Sequence, residues 1–425
     1  MKKDLLVLVV VAITTSFIFR QSFNTFFTQD DFIMINYFSQ NNLIVDIGNA
    51  IGFPQITHWR PLDNLYFLTV GNLFDKNFYA YHFFTFALHL GVAFLIFKIV
   101  RKITMNLKMA LVASFIYAIH SAHFVTHFWI SGSATTIGFI FLLLSFYFYL
   151  LKRRGVPLIF FVLALLSSEA MLTGLGLFIL HRHLIKKEAI IKKFMFSLLM
   201  ASGIFVVVKF LFLTPQSTYE AYQIKIWPQV LINTKYYLLR IAGFAETSGD
   251  VMVSVILLGL LSFAGFQILK RLKAKKEHEI FVFGLALILL GLFPFVLISN
   301  LSPHYMNVSI FGFAILIGVS VSELTIPKTL AFLTIFFFVF YVNVNNTYKN
   351  SWVIHRSNLA LTYISKIEAA KLPQDSAIVF NDNYISTSKE AYFALGNGKA
   401  LDFWFKGKNY KSCFTWFENC ESVQW

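Results

Sequence analysis

A chain of 425 residues that is 57% hydrophobic and only 13% charged, with a mean hydropathy of +0.66, is not an ordinary soluble domain, in which about a quarter of residues carry charge. It reads as an integral membrane protein. The formal net charge of +15 raises nucleic-acid binding, but Lys and Arg collect in short loops between apolar runs, the pattern the positive-inside rule produces, and this argues against a nucleic-acid partner.

The chain opens with Met1-Lys2-Lys3 and an apolar run, Leu5–Phe19. No small-x-small cleavage site follows (Thr25-Phe26-Phe27 is a poor one), so the run reads as an uncleaved signal anchor. A long polar loop extends from Arg20 to about Tyr79. Hydropathy then marks Tyr81–Ile99, Met109–Val125, Ile137–Leu151, the short pair Val156–Leu166 and Leu172–Leu180, and Phe194–Leu213. A second long loop runs from Thr214 to about Asp250. Val251–Leu269, Ile280–Ile298, Val308–Val321 and Leu330–Val344 complete about eleven spans. Several are shorter than the ~20 residues of a full crossing, as expected of half-depth helices beside a cavity. Basic clusters fall on one side at nearly every turn. The expected topology therefore has a cytoplasmic N-terminus, an extracytoplasmic C-terminus, and both long loops outside, in a multi-pass cell-membrane protein.

Two domains are expected: a membrane domain over 1–345 and an extracytoplasmic C-terminal domain over 346–425. In the latter, Trp352 to Ala370 has helical periodicity, Leu372-Pro373-Gln374-Asp375 breaks it, and Ala377-Ile378-Val379-Phe380 reads as a strand closed by Asn381-Asp382-Asn383. This is a small α/β domain with a marginal core, which docking or a cross-link would help. The chain's two cysteines, Cys413 and Cys420, both lie there. A disulfide outside the cytoplasm and two free thiols both suit the sequence. No internal repeat is present.

The chemistry gathers on the outer side. Asp30-Asp31 follow the first apolar segment almost directly. A carboxylate at membrane depth costs roughly 2.5–3.5 kcal/mol on insertion scales, so the pair belongs at the surface or in a wet cavity, as a helix exit or as a functional group. His58-Trp59-Arg60-Pro61-Leu62 is a compact basic element in an outer loop. Arg60 has the planar fork that binds phosphate oxygens bidentately, or it snorkels to lipid headgroups. His120, His123 and His127 have i, i+3, i+7 spacing and would share a helix face. Zinc binding, contact with phosphate or substrate, and interfacial packing all remain open for them. Glu169, at the outer tip of the short pair, is either a third carboxylate in the site or a helix cap.

The order of these elements resembles a known group. Asp30-Asp31, then His58-Trp59-Arg60-Pro61-Leu62, Ile119-His120-Ser121-Ala122-His123, Ser168-Glu169, and Pro303-His304-Tyr305 through Gly318 resemble the GT-C superfamily of polytopic glycosyltransferases. Within it they are most similar to the tetratricopeptide-repeat O-mannosyltransferases and their bacterial relatives. The likeness covers roughly residues 1–345. Those enzymes carry an Asp-Asp pair, a Tyr-Arg-Pro-Leu element, a His-Pro-x-His turn, a Lys-Glu pair and a Glu-Arg-Tyr-Leu-Tyr segment. Here Ser121 replaces the proline, Ser168 replaces the lysine, His304 stands where arginine is usual, and the repeats are absent.

The resemblance implies an α-helical GT-C-like fold and an inverting transfer of a sugar from a polyprenyl-phosphate donor to a protein, lipid or glycan hydroxyl. Asp30 would act as base with Asp31 orienting the acceptor, or the two roles would be reversed. His58, Arg60, His120, His123, Glu169, His304 and Tyr305 would bind donor phosphate or substrate. No cofactor is expected and metal use is left open. Two rival classes are a polytopic transporter, which would place charges near the bilayer midplane on repeated broken helices, and a non-catalytic envelope-binding membrane protein. Clustering of Asp30, Asp31, Arg60 and His120 around one outward cavity would favour the enzyme.

Overall fold

The computed structural model describes residues 2–37, 42–52, 59–188, 193–209, 223–225, 227–247, 249–272 and 275–420. The chain is almost wholly helical. In order, the helices are α1 (Lys2–Ile18), α2 (Asp30–Tyr37), α3 (Leu43–Ile51), α4 (Pro61–Phe74), α5 (Phe78–Thr104), α6 (Leu107–Ile119), α7 (Phe124–Phe128), α8 (Ala134–Leu150), α9 (Val156–Ser167), α10 (Gly174–Leu180), α11 (Lys193–Val207), α12 (Gln229–Ala242), α13 (Val251–Arg271), α14 (Lys275–Leu292), α15 (Asn307–Val321) and α16 (Ile326–Asn350). The C-terminal part adds α17 (Trp352–Ala370), β1 (Ala377–Phe380), α18 (Ser388–Ala394), α19 (Lys399–Trp404) and β2 (Lys411–Phe414). The strands form a two-stranded parallel sheet, with Ala377 opposite Lys411 and Phe380 opposite Phe414.

Every apolar run read from the sequence contains a helix, but the number of crossings changes. Among the described residues, Phe78–Thr104, Ile130–Leu150, Val251–Arg271 and Ile326–Asn350 are long and apolar enough to cross a membrane. Leu107–Ile119 with Ser121–Phe128, bent by 43°, would be a fifth. Leu8–Ile18, Val156–Ser167, Lys193–Val207 and Asn307–Val321 are shorter apolar helices. By length and composition, four or five of the expected eleven spans are full-length candidates among the described residues, since hydropathy finds apolar stretches whether or not the helix continues to full depth.

The local signals are recognisable. Pro61 opens α4, where its missing N–H costs nothing. Asn106 caps α6 by accepting from Met109 N at 3.1 Å. The α6–α7 break falls at His120, whose Nδ1 accepts from Ala122 N at 3.2 Å. A side chain that takes a nearby backbone N–H competes with the helical bond. Its Nε2–H is then left to donate to Ile241 O at 3.0 Å, tying the break to α12.

Two cores result. One lies among the long helices and includes Ile96, Val112, Phe139, Leu287, Phe311 and Phe336. The other joins the first loop to the C-terminal part: Phe27, Phe32, Phe67 and Tyr81 pack with Leu359, Leu395, Phe403 and Phe414. α17 and β1 span the residues expected for them, and α16 runs through residue 345 to Asn350. The C-terminal part packs α17 and α18 on each other and α18 on the sheet, and joins the first loop mainly through α19 against α2. Cys413 and Cys420 are disulfide-bonded.

Candidate active site

Asp30 and Asp31 form the first turn of α2. Asp31 is buried. Its Oδ1 accepts from Ser131 N at 2.8 Å and Ser131 Oγ at 2.7 Å, and its Oδ2 from Thr28 N at 3.0 Å. The last contact reaches back three residues, in the manner of a capping box. Burial pushes the Asp31 pKa up to about 7, against the pull of those hydrogen bonds. Asp30 is half-buried, and among the described residues its carboxylate accepts no hydrogen bond. Burial lifts its pKa to about 6, with Arg356 opposing.

The turn that presents this pair is strained. Gln29 has φ +53, a left-handed conformation uncommon outside glycine. The C-terminal part holds it there. Gln29 N donates to Ala394 O at 3.2 Å, and Arg356 Nη1 donates to Gln29 Oε1 at 2.8 Å. Gly396, at φ +56, leaves room for Gln29 O, which would lie 2.5 Å from a Cβ at that position. Strain over-determined by its surroundings is typical of functional turns.

A second cluster is built around Glu169. Arg60, just ahead of α4, grips it bidentately: Nε donates to Oε2 at 2.9 Å and Nη2 to Oε1 at 2.7 Å. Lys209, beyond the end of α11, donates Nζ to the same Oε2 at 2.7 Å and to Trp59 O at 3.4 Å. Asp63, one turn into α4, is buried with Oδ1 lacking any hydrogen-bond partner. Burial pushes its pKa up to about 7, Arg60 pulling down and Glu169 pushing up. The cluster thus sets two cations around one carboxylate, beside a carboxyl whose pKa is raised toward neutral.

The two clusters are connected through side chains. Ser131 lies in the same short turn as Ser133, whose Oγ donates to Tyr66 OH at 3.3 Å. Tyr66 is on α4 one turn beyond Asp63, and both Asp31 and Asp63 act on its hydroxyl. From the other side, Trp129 meets His304 edge-on at 5.7 Å. His304 is half-buried, and desolvation, with Arg60 adding to it, pushes its pKa down to about 3, favouring the neutral imidazole. Its carbonyl accepts from Thr135 Oγ1 at 2.8 Å and its Nδ1 meets Ser302 Oγ. Tyr305 stacks on Phe295 with ring centroids 4.7 Å apart.

Asp30, Asp31, Arg60, Glu169, His304 and Tyr305 are thus gathered in one region. His120 and His123 are not open to it. His120, 0% exposed, is spent on Ala122 and Ile241. His123 is buried between the rings of His89 and Tyr117, each 4.6 Å away. His127 is stacked on Phe19 at 4.1 Å. The imidazoles turn inward because the helix they were expected to share breaks at His120. His58 lies outside the described residues. Among the described residues no group of three His, Cys, Asp or Glu could hold a metal ion.

Lys209, Asp63, Ser131 and Arg356 are the participants that sequence patterns did not single out as site residues. Lys209 carried a usable signal: an ionisable residue inside the apolar stretch Phe205-Val206-Val207-Val208-Lys209-Phe210 is a functional candidate by default. Ser131 and Arg356 carried none, since their partners lie 100 and 327 positions away.

No family model and no curated protein matches this sequence. Among solved structures, the chain is similar to ArnT from Cupriavidus metallidurans bound to undecaprenyl phosphate. The identity is 11% and the TM-score 0.50, over 95% of this chain and 76% of that one. At that identity the likeness is one of fold alone.

Proposed function

We propose that the chain is a membrane glycosyltransferase of GT-C type that moves a sugar from a polyprenyl-phosphate donor to an acceptor hydroxyl at the outer face of the membrane. The observation that carries this reading is the pairing of an unengaged carboxylate, Asp30, with a nearby cationic cluster, Arg60 and Lys209 around Glu169. The ArnT-like fold and the order of the motifs support it.

In this reaction the acceptor oxygen attacks the anomeric carbon, the bond from that carbon to the phosphate oxygen breaks, and the electron pair leaves with the polyprenyl phosphate. The acceptor proton passes to Asp30. A base is most effective with a pKa near the working pH, which the raised value of Asp30 provides. Asp31, held by Ser131 and Thr28, fixes the turn and orients the acceptor. Arg60 and Lys209 take the developing phosphate charge, Lys209 supplying the positive group that Ser168 does not. Preorganised charges of this kind supply much of an enzyme's rate enhancement. The apolar helices offer a groove to the prenyl chain, where each buried CH₂ contributes about 0.8 kcal/mol. By the resemblance, the transfer inverts the anomeric centre and the sugar is a hexose such as mannose. The Cys413–Cys420 disulfide supports an extracytoplasmic C-terminal part.

Direct binding tests the reading. Undecaprenyl phosphate should bind the purified chain, and Lys209→Met should weaken that binding by about tenfold, the order expected for losing one charge-assisted contact. Equal binding by both would remove Lys209 from the phosphate site.

A further inference from the structure

The junction of α16 and α17 borders an open cleft of about 600 Å³. Lys349, Trp352, His355, Arg356, Asn358 and Glu390 line it. Arg356 forms its floor, its Nε donating to Glu390 Oε2 at 3.0 Å and its Nη1 to Gln29 Oε1 at 2.8 Å. Gln29 immediately precedes Asp30, so Arg356 links the cleft to the turn that carries the proposed base. Arg356 also acts electrostatically on Asp30 itself.

The lining has a definite chemistry. Trp352 is half-buried, with Trp129 edge-on at 5.5 Å and the Arg356 guanidinium over its ring at 5.3 Å, so a sugar ring would lie on the indole face that Arg356 leaves uncovered. Asn358 is exposed and offers an amide, which both donates to and accepts from hydroxyls. Glu390 is balanced by Arg356. Lys349 is exposed and adds positive charge that Glu390, already paired with Arg356, does not neutralise, and His355 is also exposed.

We propose that this cleft is the acceptor site and that its occupant is a glycan bearing an anionic substituent, phosphate or carboxylate. The proposal rests on the glycosyltransferase reading and extends it: the C-terminal part, through α17 and Arg356, selects the acceptor and holds the Gln29–Asp30 turn against it. A sugar ring stacks on Trp352, its hydroxyls meet Asn358, and its anionic group meets Lys349.

The test is ligand-observed saturation-transfer NMR on the full chain in lipid nanodiscs, with glucose 6-phosphate, glucuronate, glucose and an uncharged Ser/Thr peptide as probes. Both anionic sugars should bind more tightly than glucose, and the peptide should not bind. Lys349→Glu, a change at an exposed side chain, should weaken the two anionic sugars by about five- to tenfold, the effect of reversing one partly screened charge beside the ligand, and leave glucose unchanged. Asn358→Ala should weaken all three sugars. Equal affinities for charged and neutral sugars, no response to Lys349→Glu, no sugar binding at all, or binding of the peptide alone would each overturn the proposal. The assay needs no donor. Sugar binding that follows this pattern in a chain that transfers nothing would remove the glycosyltransferase reading and leave the cleft. Transfer with an acceptor KM untouched by Lys349→Glu would do the reverse.

Discussion

Replacing Glu169 by Gln should destabilise the protein and at the same time sharpen its appetite for phosphate. Glu169 bonds both Arg60 and Lys209. Its side chain is 29% exposed, that of Arg60 21%, and that of Lys209 6%. Removing one partner of a buried ion pair costs about 3–5 kcal/mol because the other charge is left behind. The partial exposure of Arg60 and Glu169 lets water screen part of that loss, and the amide retains a weaker hydrogen bond, so about 2–3 kcal/mol is the expected cost. For a chain of this size such a loss lowers Tm by a few degrees. An anion placed between the two cations replaces the lost charge. Undecaprenyl phosphate should therefore raise Tm more in Glu169→Gln than in wild type. The assay is thermal unfolding in detergent with and without the lipid. An unchanged Tm would show that the cluster is not holding the site together. A drop in Tm that the lipid does not relieve would show that the cations do not receive its phosphate.

Other consequences follow from the same contacts. Transfer should have a bell-shaped dependence on pH: kcat/KM rises as Asp30 loses its proton near pH 6 and falls as Asp63, ionising near pH 7, adds negative charge beside the phosphate. Asp63→Asn should flatten the alkaline limb and leave the acid limb in place; an unchanged alkaline limb would assign it elsewhere. Gly396→Ala should press a methyl group on Gln29 O and demand a left-handed alanine, lowering Tm and displacing the Asp30 turn; wild-type kcat in a folded Gly396→Ala protein would detach the C-terminal part from catalysis. Cys413→Ser with Cys420→Ser opens a loop of seven residues' separation, which on chain-entropy grounds costs about 2–3 kcal/mol, read as faster proteolysis of the C-terminal segment; protection equal to wild type would show the disulfide to be dispensable.

What could be read from the sequence was local. The membrane class follows from composition, α17 from its periodicity, and β1 from four apolar and β-branched residues before a turn. Arg60 and Glu169 were individually visible, being ionisable groups in outer loops that otherwise avoid them, but nothing in the chain announced that they grip one another. Lys209 was hidden inside an apolar run read as a span. The packing of the C-terminal part onto Phe27 and Phe32 was not legible, because those residues lie more than three hundred positions earlier and no periodicity records such a contact. The histidines illustrate the opposite error. Their i, i+3, i+7 spacing defines a shared face only while the helix is continuous, and the His120 side chain ends it by taking the Ala122 N–H. Hydropathy found the right helices, but apolar runs shorter than the bilayer do not fix how many of them cross it.

The most direct measurement is sugar transfer from a panel of polyprenyl-phosphate sugars by the purified wild-type chain, with Asp30→Asn and Asp31→Asn beside it. A positioned carboxylate base supplies about 10²–10⁴ in rate. Asp30→Asn should therefore lose transfer by at least about a hundredfold while keeping its Tm and its affinity for undecaprenyl phosphate. Asp31→Asn should lose activity together with the order of the turn that Ser131 and Thr28 hold. Transfer by wild type that survives intact in Asp30→Asn would contradict the account at its centre.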